Sequence, residues 1–326
     1  MKCKAIVVHQ TGGPEVLKWE EVSVPDPGPG EVLVRHRAVG LNFVEIYFRS
    51  GIYQPPQLPY IPGTEAAGVV EKVGPGVTEL KVGDRVAYCT GPMGAYSEVR
   101  VIPAKFLVPL PAEIDDSIAA ASMLKGLTAH YLLFSTYQVK RGDTILVHAA
   151  AGGVGLIMCQ WAKHLGATVI GTVGSEEKAR LAREHGCDHV ILYHKEDFTA
   201  RVREITDGKG VPVVYDSVGQ ATFMGSLDCL RPRGLMVSFG QSSGVVPPFS
   251  VGILSAKGSL YLTRPTLANY VAEREELLER SRALFDAIAR GIVRCEVRQR
   301  YKLEQAAEAH RALSERRTTG SSVMLP

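Results

Sequence analysis

Residues 144–155, TILVHAAAGGVG, combine an apolar run, a glycine-rich turn and the start of a helical pattern. In a dinucleotide-binding turn the middle glycine lets the backbone approach a pyrophosphate, and the last glycine lets the helix pack on the strand. Gly152 and Gly155 fill those two places, and Ala150 stands where the first glycine is usual. Backbone N–H groups and the positive end of the helix dipole would converge on an anion here. The stretch therefore predicts a Rossmann-type domain.

The residues on either side of this stretch follow two different patterns. From about Lys125 onward strands alternate with helices, which predicts a parallel sheet with helices on both faces. The predicted strands are 144–148, 168–173, 189–192, 211–215 and 234–239, and the helices are 154–164, 176–185 and 199–206. Before Lys125 the chain has short β-rich runs broken by Pro and Gly, which is typical of an antiparallel barrel. These runs are 4–8, 32–39, 66–73, 85–89 and 96–102.

The composition indicates a globular protein of about two domains, since 326 residues with 45% hydrophobic and 22% charged residues exceed one ordinary core. A net charge of +3 without a dense basic tract gives little electrostatic basis for binding nucleic acid. The six cysteines are too far apart in sequence for a metal knuckle or redox pair, which favours the reducing cytoplasm. The most span-like segment, 144–162, is better explained by strand, turn and helix, so no membrane partner is predicted.

The end of the second strand of the Rossmann pattern indicates the cofactor. NAD-specific folds place Asp or Glu there to accept hydrogen bonds from the ribose hydroxyls. This chain instead continues with Gly174 and Ser175, which would not repel a 2′-phosphate. Ser175 and Lys178 would supply a hydroxyl donor and a positive charge, so we predict NADPH. A solvated helix lysine is the alternative interpretation of Lys178.

Further motifs resemble a known family. They are GLNF at 40–43, PGTEAAG at 62–68, VGDRV at 82–86, KGLTA at 125–129, YDSVG at 215–219 and RRTTG at 316–320. With them the chain resembles the medium-chain dehydrogenase/reductase superfamily, specifically its zinc-free, zeta-crystallin-like NADPH:quinone oxidoreductases. The resemblance implies an α/β protein in which a Rossmann doubly wound parallel sheet domain, 125–265, is inserted into a GroES-like antiparallel β-barrel catalytic domain. Residues 1–124 and 266–326 would form that second domain.

The resemblance also implies NADPH-dependent quinone reduction at a metal-free site in the interdomain cleft. The residues that match the family's substrate pocket are Asn42, Tyr47, Tyr53 and Thr64. For Tyr47, helix packing is the alternative interpretation, and for Tyr53 it is a loop anchor. The cofactor-binding residues implied are Ala151, Gly152, Gly153, Val154, Gly174, Ser175 and Lys178 for phosphate and ribose, Tyr193 for the adenosine side, and Arg316 for the 2′-phosphate. Ser217, Val218, Phe239, Gly240 and Ser242 follow later strands, at the carboxyl edge where such sheets bind ligands, and should flank the nicotinamide.

The metal prediction rests on two positions. The zinc-bearing alcohol dehydrogenases of the superfamily carry Cys and His where this chain has Asn42 and Thr64, and neither replacement is a good zinc ligand. Glu65 alone cannot hold the metal, so we predict none. Without zinc to polarise an alcohol or aldehyde oxygen, an electron-poor quinone is the expected acceptor.

The resemblance finally implies a homodimer, through a short edge strand at 258–264 that pairs with its copy. One alternative function keeps NADPH but delivers hydride to the C=C bond of an enone or alkenal. A second alternative is a structural or AU-rich RNA-binding role, as in some zeta-crystallin relatives. No basic stripe or exposed aromatic series in the sequence supports RNA binding.

Overall fold

The computed structural model describes all residues, Met1–Pro326. The strands are β1 (Lys2–Val8), β2 (Leu17–Ser23), β3 (Glu31–Gly40), β4 (Ala66–Val73), β5 (Arg85–Tyr88), β6 (Val99–Pro103), β7 (Val108–Pro109), β8 (Thr144–Val147), β9 (Thr168–Val173), β10 (His189–Leu192), β11 (Val211–Asp216), β12 (Leu230–Ser238), β13 (Tyr261–Thr263), β14 (Val297–Lys302) and β15 (Ser321–Leu325). The α-helices are α1 (Phe43–Ser50), α2 (Asp116–Tyr131), α3 (Gly153–His164), α4 (Glu176–Glu184), α5 (Phe198–Ile205), α6 (Phe223–Cys229), α7 (Gly252–Ala256), α8 (Leu267–Tyr270), α9 (Arg274–Ala289) and α10 (Ala306–Ser314). None of these helices has the length and apolar character that a membrane crossing needs.

The chain divides into two units. The first contains Met1–Leu124, Val271–Ala289 and Cys295–Pro326, and the second contains Lys125–Tyr270 and Arg290–Arg294. The return to the first unit therefore lies at Val271 and not at the predicted residue 266.

Two contacts explain why residues 266–270 and Arg290–Arg294, which the sequence assigned to the first unit, belong to the second. The ring of Tyr270 stacks on that of Tyr131 with centroids 4.2 Å apart, which keeps α8 in the second unit. Farther along the chain, the Gln160 side chain on α3 accepts a hydrogen bond from Arg294 N at 2.8 Å and donates to Arg294 O at 3.1 Å. Both contacts join residues that are distant in sequence, so no local sequence pattern predicts them.

The second unit contains a six-stranded, wholly parallel sheet in the order β10-β9-β8-β11-β12-β13. Numbered within the unit this order is 3-2-1-4-5-6, the order of a Rossmann dinucleotide-binding sheet, and it reverses between β8 and β11. The predicted α/β class is confirmed. The predicted strand 234–239 begins earlier, at Leu230, and ends at Ser238.

The core of the second unit explains why its strands read as apolar runs. A strand that is buried on both faces of a parallel sheet cannot alternate apolar with polar residues along its length. The buried side chains of this core include Leu146, Ile170, Ile191, Val214, Met236 and Leu227. β13 lies at the edge of the sheet and pairs only with β12. The predicted edge strand is therefore present but spans three residues, Tyr261–Thr263.

The first unit contains a seven-stranded sheet and a separate β1–β2 hairpin. Six strands of the sheet follow the order β14-β15-β3-β4-β5-β7, and the seventh, β6, pairs with β3. All pairs are antiparallel except β14–β15, which is parallel. The sequence pattern missed β2, β7, β14 and β15. β14 reads VRQRYK, whose alternation of charged and half-buried residues has too few apolar side chains to signal a strand. The predicted strand 96–102 starts later, at Val99, because Tyr96 O instead accepts a hydrogen bond from Ile6 N.

Candidate functional site

The glycine-rich turn joins β8 to α3 in the second unit. Ala149 has a φ of 53°, in the left-handed region that residues with a side chain rarely adopt, and its carbonyl accepts a hydrogen bond from Gly152 N at 2.8 Å. Gly152 immediately precedes α3, which begins at Gly153. The backbone N–H groups and dipole of this first turn favour an anion. The turn therefore fits a phosphate group.

The two glycines of the fingerprint differ in their surroundings. A Cβ at Gly155 would overlap Ala149 O and would lie 2.8 Å from the carbonyl carbon of Ala150. Because both are backbone atoms, they cannot rotate aside, and the packing role predicted for Gly155 is confirmed. A Cβ at Gly152 would meet only Ala149 O, at 3.1 Å. Gly152 thus keeps the approach to the turn open without being needed for the packing of α3.

The residues predicted to bind the ribose end lie together beyond β9. Ser175 precedes α4, and its Oγ accepts a hydrogen bond from Lys178 N at 3.3 Å, so its own proton can be donated to a ligand. Ser175 is exposed and Lys178 is half-buried. The hydroxyl of Tyr193, which follows β10, lies 2.7 Å from where a Cβ on Gly174 would be. This end of the sheet therefore offers hydrogen-bond donors from Ser175, Lys178 and Tyr193, and position 174 is a glycine in place of an acidic residue.

The loops that follow β11 and β12 are joined by backbone hydrogen bonds. Ser242 N donates to Ser217 O at 3.2 Å, and Phe239 N donates to Asp216 O at 2.8 Å. A Cβ at Gly240 would lie 2.6 Å from Ser217 O, so the close approach of the loops requires glycine. The structure thus brings together the residues predicted to flank the nicotinamide, which are Ser217, Val218, Phe239, Gly240 and Ser242.

The predicted substrate residues of the first unit lie around α1. Asn42 is at the N-cap position, yet its side chain makes no capping hydrogen bond, although Asn is among the best capping residues. Its Nδ2 instead donates to Glu65 Oε2 at 2.8 Å. Thr64 Oγ1 donates to Glu45 Oε1 at 3.1 Å. Asn42 and Thr64 are therefore each oriented by a buried carboxylate.

The two predicted tyrosines pack against each other. Their ring centroids are 5.2 Å apart in an edge arrangement, and Tyr53 N donates to Tyr47 O at 3.0 Å. Tyr47 is buried, with 7% of its surface exposed, and Tyr53 is half-buried. The helix packing considered as an alternative for Tyr47 is present. A catalytic role for either hydroxyl stays a prediction.

Glu65 has a role that sequence reasoning missed by treating it only as a metal ligand. Its carboxylate is fully buried and also accepts a hydrogen bond from Leu124 N at 2.6 Å. A Cβ at Gly40 would overlap Glu65 Oε2. The glycine of the GLNF motif therefore makes room for the carboxylate that orients Asn42. The presence of both the GLNF and the PGTEAAG motifs was the signal in the sequence that could have indicated this contact.

A second buried network holds the end of α1. Arg49 Nη1 donates to His310 Nδ1 at 3.2 Å, so the His310 proton is on Nε2, which donates to Tyr96 Oη at 2.9 Å. Burial lowers the pKa of His310 to about 3, and the Arg49 charge acts in the same direction. His310 is therefore neutral at physiological pH. The network anchors the helix that carries Tyr47.

Arg316 is the one predicted cofactor residue in the first unit. It is exposed, follows α10 and has a φ of 59°. Its predicted contact with the 2′-phosphate stays a prediction.

The residues at the zinc positions of related dehydrogenases do not fit a zinc ion. Zinc ligands offer a lone pair from thiolate, imidazole or carboxylate groups, whereas the Asn42 amide and the Thr64 hydroxyl both donate protons to carboxylates. The structure contains no group of three or more His, Cys, Asp or Glu side chains that could hold a metal ion.

Comparison with known proteins identifies the family. Residues 28–112 match the alcohol dehydrogenase GroES-like domain, and residues 153–279 match the zinc-binding dehydrogenase family. A quinone oxidoreductase of Pseudomonas aeruginosa is 58% identical over 99% of both chains. The chain belongs to the quinone oxidoreductase family. This family lies within the medium-chain dehydrogenase/reductase superfamily, so the resemblance found in the sequence is confirmed.

Two other relatives bear on the cofactor and on the substrate of this quinone oxidoreductase family member. The crystal structure of the Escherichia coli quinone oxidoreductase complexed with NADPH has a TM-score of 0.98 and 53% identity, covering 99% of this chain and 100% of that one. A 2-haloacrylate reductase of a Burkholderia species is 52% identical, covering 99% of this chain and 98% of its own.

Proposed function

We propose that this protein reduces quinones with NADPH and needs no metal ion. The observation that carries the cofactor choice is the end of β9, where Gly174 replaces an acid and Ser175 and Lys178 offer a hydroxyl and a positive charge. The E. coli relative was crystallised with NADPH, which supports the same choice. The phosphate turn at Ala151, Gly152, Gly153 and Val154 would receive the pyrophosphate.

The acceptor follows from the family and from the groups around α1. NADPH supplies a hydride when bound, and with one proton this converts a quinone to a hydroquinone. The hydroxyls of Tyr47 and Tyr53 would orient the quinone ring and donate hydrogen bonds to its oxygens as charge develops. Thr64 already donates its proton to Glu45, so its Oγ1 would present lone pairs to the O–H of the hydroquinone. Water can supply the one proton that the reduction needs, because hydroquinone oxygens are acidic enough that their protonation needs no dedicated acid.

One observation favours a second candidate function. The Burkholderia relative is named for 2-haloacrylate, in which a C=C bond is conjugated to a carboxylate. Delivery of hydride to an activated C=C bond is therefore the alternative for this chain.

A substrate panel tests both candidates. NADPH oxidation is followed at 340 nm with 1,4-benzoquinone, a naphthoquinone, an enone, 2-chloroacrylate and a simple aldehyde, each with and without EDTA. We expect the quinones to give the highest kcat/KM and EDTA to have no effect. Faster turnover of 2-chloroacrylate or the enone would replace quinone reduction with C=C reduction.

We also propose a homodimer that forms through β13. This strand is an open edge of the sheet, and Tyr261 on it is 63% exposed. Tyr261→Glu would place like charges near each other in such a pair. We expect the wild type to sediment as a dimer and Tyr261→Glu as a monomer. The control, Met224→Glu, alters another exposed apolar residue, on α6, and should leave the dimer intact.

The location in the cytoplasm stays a prediction. All six cysteines are free thiols in the structure, as a reducing compartment would keep them.

A further inference from the structure

A chain of buried polar side chains connects the strand ends on both sides of the point where the sheet order reverses. His148, directly after β8, contacts Thr172 Oγ1 at 2.9 Å through Nδ1 and Ser226 Oγ at 3.0 Å through Nε2. Ser226 Oγ in turn donates to Asp216 Oδ2 at 3.0 Å. These four residues, which we name the His148–Asp216 network, are all buried. Ligands of open α/β sheets bind at this reversal point.

The direction of every hydrogen bond in the network follows from the carboxylate. An ionised carboxylate only accepts hydrogen bonds, so the single hydroxyl proton of Ser226 is donated to Asp216. Ser226 Oγ then accepts from His148, which places the histidine proton on Nε2. Burial lowers the pKa of His148, against the opposing charge of Asp216, so the imidazole is neutral and Nδ1 accepts from Thr172. The network thus runs one way, from the end of β9 to the end of β11.

Asp216 also holds the first of the two loops predicted to flank the nicotinamide. Its Oδ1 accepts from Val218 N at 2.7 Å and from Gly219 N at 3.0 Å. Its Oδ2 accepts from the Thr222 hydroxyl at 2.7 Å, in addition to Ser226. Four donors on one fully buried carboxylate compensate for its loss of water.

The backbone of Asp216 holds the second loop. Its carbonyl accepts hydrogen bonds from Phe239 N at 2.8 Å and Gly240 N at 3.3 Å. Asp216 therefore contacts both loops at the end of β11, and the loops are also joined to each other by the hydrogen bond from Ser242 N to Ser217 O. None of the four donors to its side chain belongs to a residue predicted to bind the phosphates or the adenosine.

We propose that Asp216 is the positioning residue for the nicotinamide half of the cofactor, acting through the loop that contains Val218. This inference rests on the proposed function. It separates the two halves of the site: the phosphate turn and Ser175 bind the adenosine half independently of Asp216, while the orientation of the nicotinamide depends on it.

The experiment compares two ligands on the full-length protein. NADPH contains both halves, and adenosine 2′,5′-bisphosphate contains only the phosphate and adenosine half. Asp216→Ala removes all four acceptor contacts, and we expect at least about a tenfold weaker NADPH Kd and a similarly slower single-turnover hydride transfer to 1,4-benzoquinone. The Kd for adenosine 2′,5′-bisphosphate should stay within about twofold.

Two further variants distinguish positioning from a general loss of structure. Asp216→Asn keeps an acceptor for Val218 N and Gly219 N, so NADPH binding should recover to within about threefold of wild type. Its amide N–H would donate to Ser226 and reverse the network, moving the His148 proton to Nδ1, which ¹⁵N NMR would detect. If Asp216→Ala does not fold, the isosteric Thr222→Val should weaken NADPH about threefold and leave the bisphosphate unchanged.

Ser122→Ala is the control, because it removes a fully buried hydroxyl that lies in the first unit and makes no hydrogen bond to Asp216. It should change neither Kd. Equal weakening of both ligands in Asp216→Ala and Thr222→Val, or no weakening of NADPH in either, would overturn the positioning role. A wild type that fails to bind NADPH would instead overturn the proposed function, and the inference with it.

Discussion

The two glycines at the start of α3 should fail in different ways when each is changed to alanine. At Gly155 the new methyl group meets the backbone of Ala149 and Ala150, which cannot move without shifting the helix. Overpacking of this kind costs up to about 3 kcal/mol. Alanine in place of glycine within a helix returns about 1 kcal/mol. The expected net loss in the free energy of unfolding is therefore about 2 kcal/mol.

At Gly152 the new methyl group meets one carbonyl oxygen at 3.1 Å, and the φ of −78° is ordinary for alanine. Gly152 is an N-cap residue, and alanine there costs less than about 1 kcal/mol of stability. The methyl group would, however, occupy the approach of the pyrophosphate. We expect NADPH to bind at least about tenfold more weakly, a loss of about 1.4 kcal/mol of binding free energy.

Thermal unfolding without cofactor and NADPH fluorescence titration measure the two effects separately. For a unit of this size, about 2 kcal/mol corresponds to a fall of roughly 4–8 °C in Tm for Gly155→Ala. Its NADPH affinity, measured well below Tm, should change by less than about threefold. The reasoning is wrong if Gly155→Ala unfolds at the wild-type temperature, or if Gly152→Ala binds NADPH as tightly as wild type.

Four further outcomes are expected. Lys178→Ala should weaken NADPH roughly tenfold or more and NADH little, because a phosphate contact contributes about 1.5–3 kcal/mol, and an equal loss for both cofactors would contradict this role. Metal analysis should find no stoichiometric zinc, and one zinc per chain would reopen alcohol oxidation. Tyr47→Phe and Tyr53→Phe should each keep most quinone turnover, because several donors stabilise the charge on the quinone oxygens. The double variant should lose more in kcat/KM than in NADPH affinity. An inactive single variant that binds NADPH normally would identify an obligatory proton donor. Because burial holds the pKa of His310 near 3, below its ordinary 6.5, the unfolded chain takes up the proton first as pH falls, and stability is lost between those values. His310→Gln should therefore reduce the pH slope of the unfolding free energy by about 1.4 kcal/mol per pH unit around pH 4–5, and an unchanged slope would show that His310 is not buried as a neutral group.

The features that local sequence predicts well are those whose physical cause is local. Apolar runs and the glycine-rich turn at 144–155 predict the parallel sheet, because a strand buried on both faces must be apolar throughout. The replacement of an acid by Gly174 indicates the cofactor in the same way, through the charge of one position. Motif resemblance added the candidate residues around α1, which no periodicity in the chain could have identified.

The tertiary structure decided what depends on residues far apart in the chain. Glu65 orients Asn42 only because β4 brings its N-terminal end beside Gly40 and Leu124, and neither partner is visible from Glu65 itself. Asp216 is similar, since YDSVG shows an acidic residue but not the Thr222 and Ser226 side chains that donate hydrogen bonds to its carboxylate. A buried carboxylate must collect its donors from wherever the fold supplies them. Pairing across distant segments, and not residue type, therefore determines how this site is held.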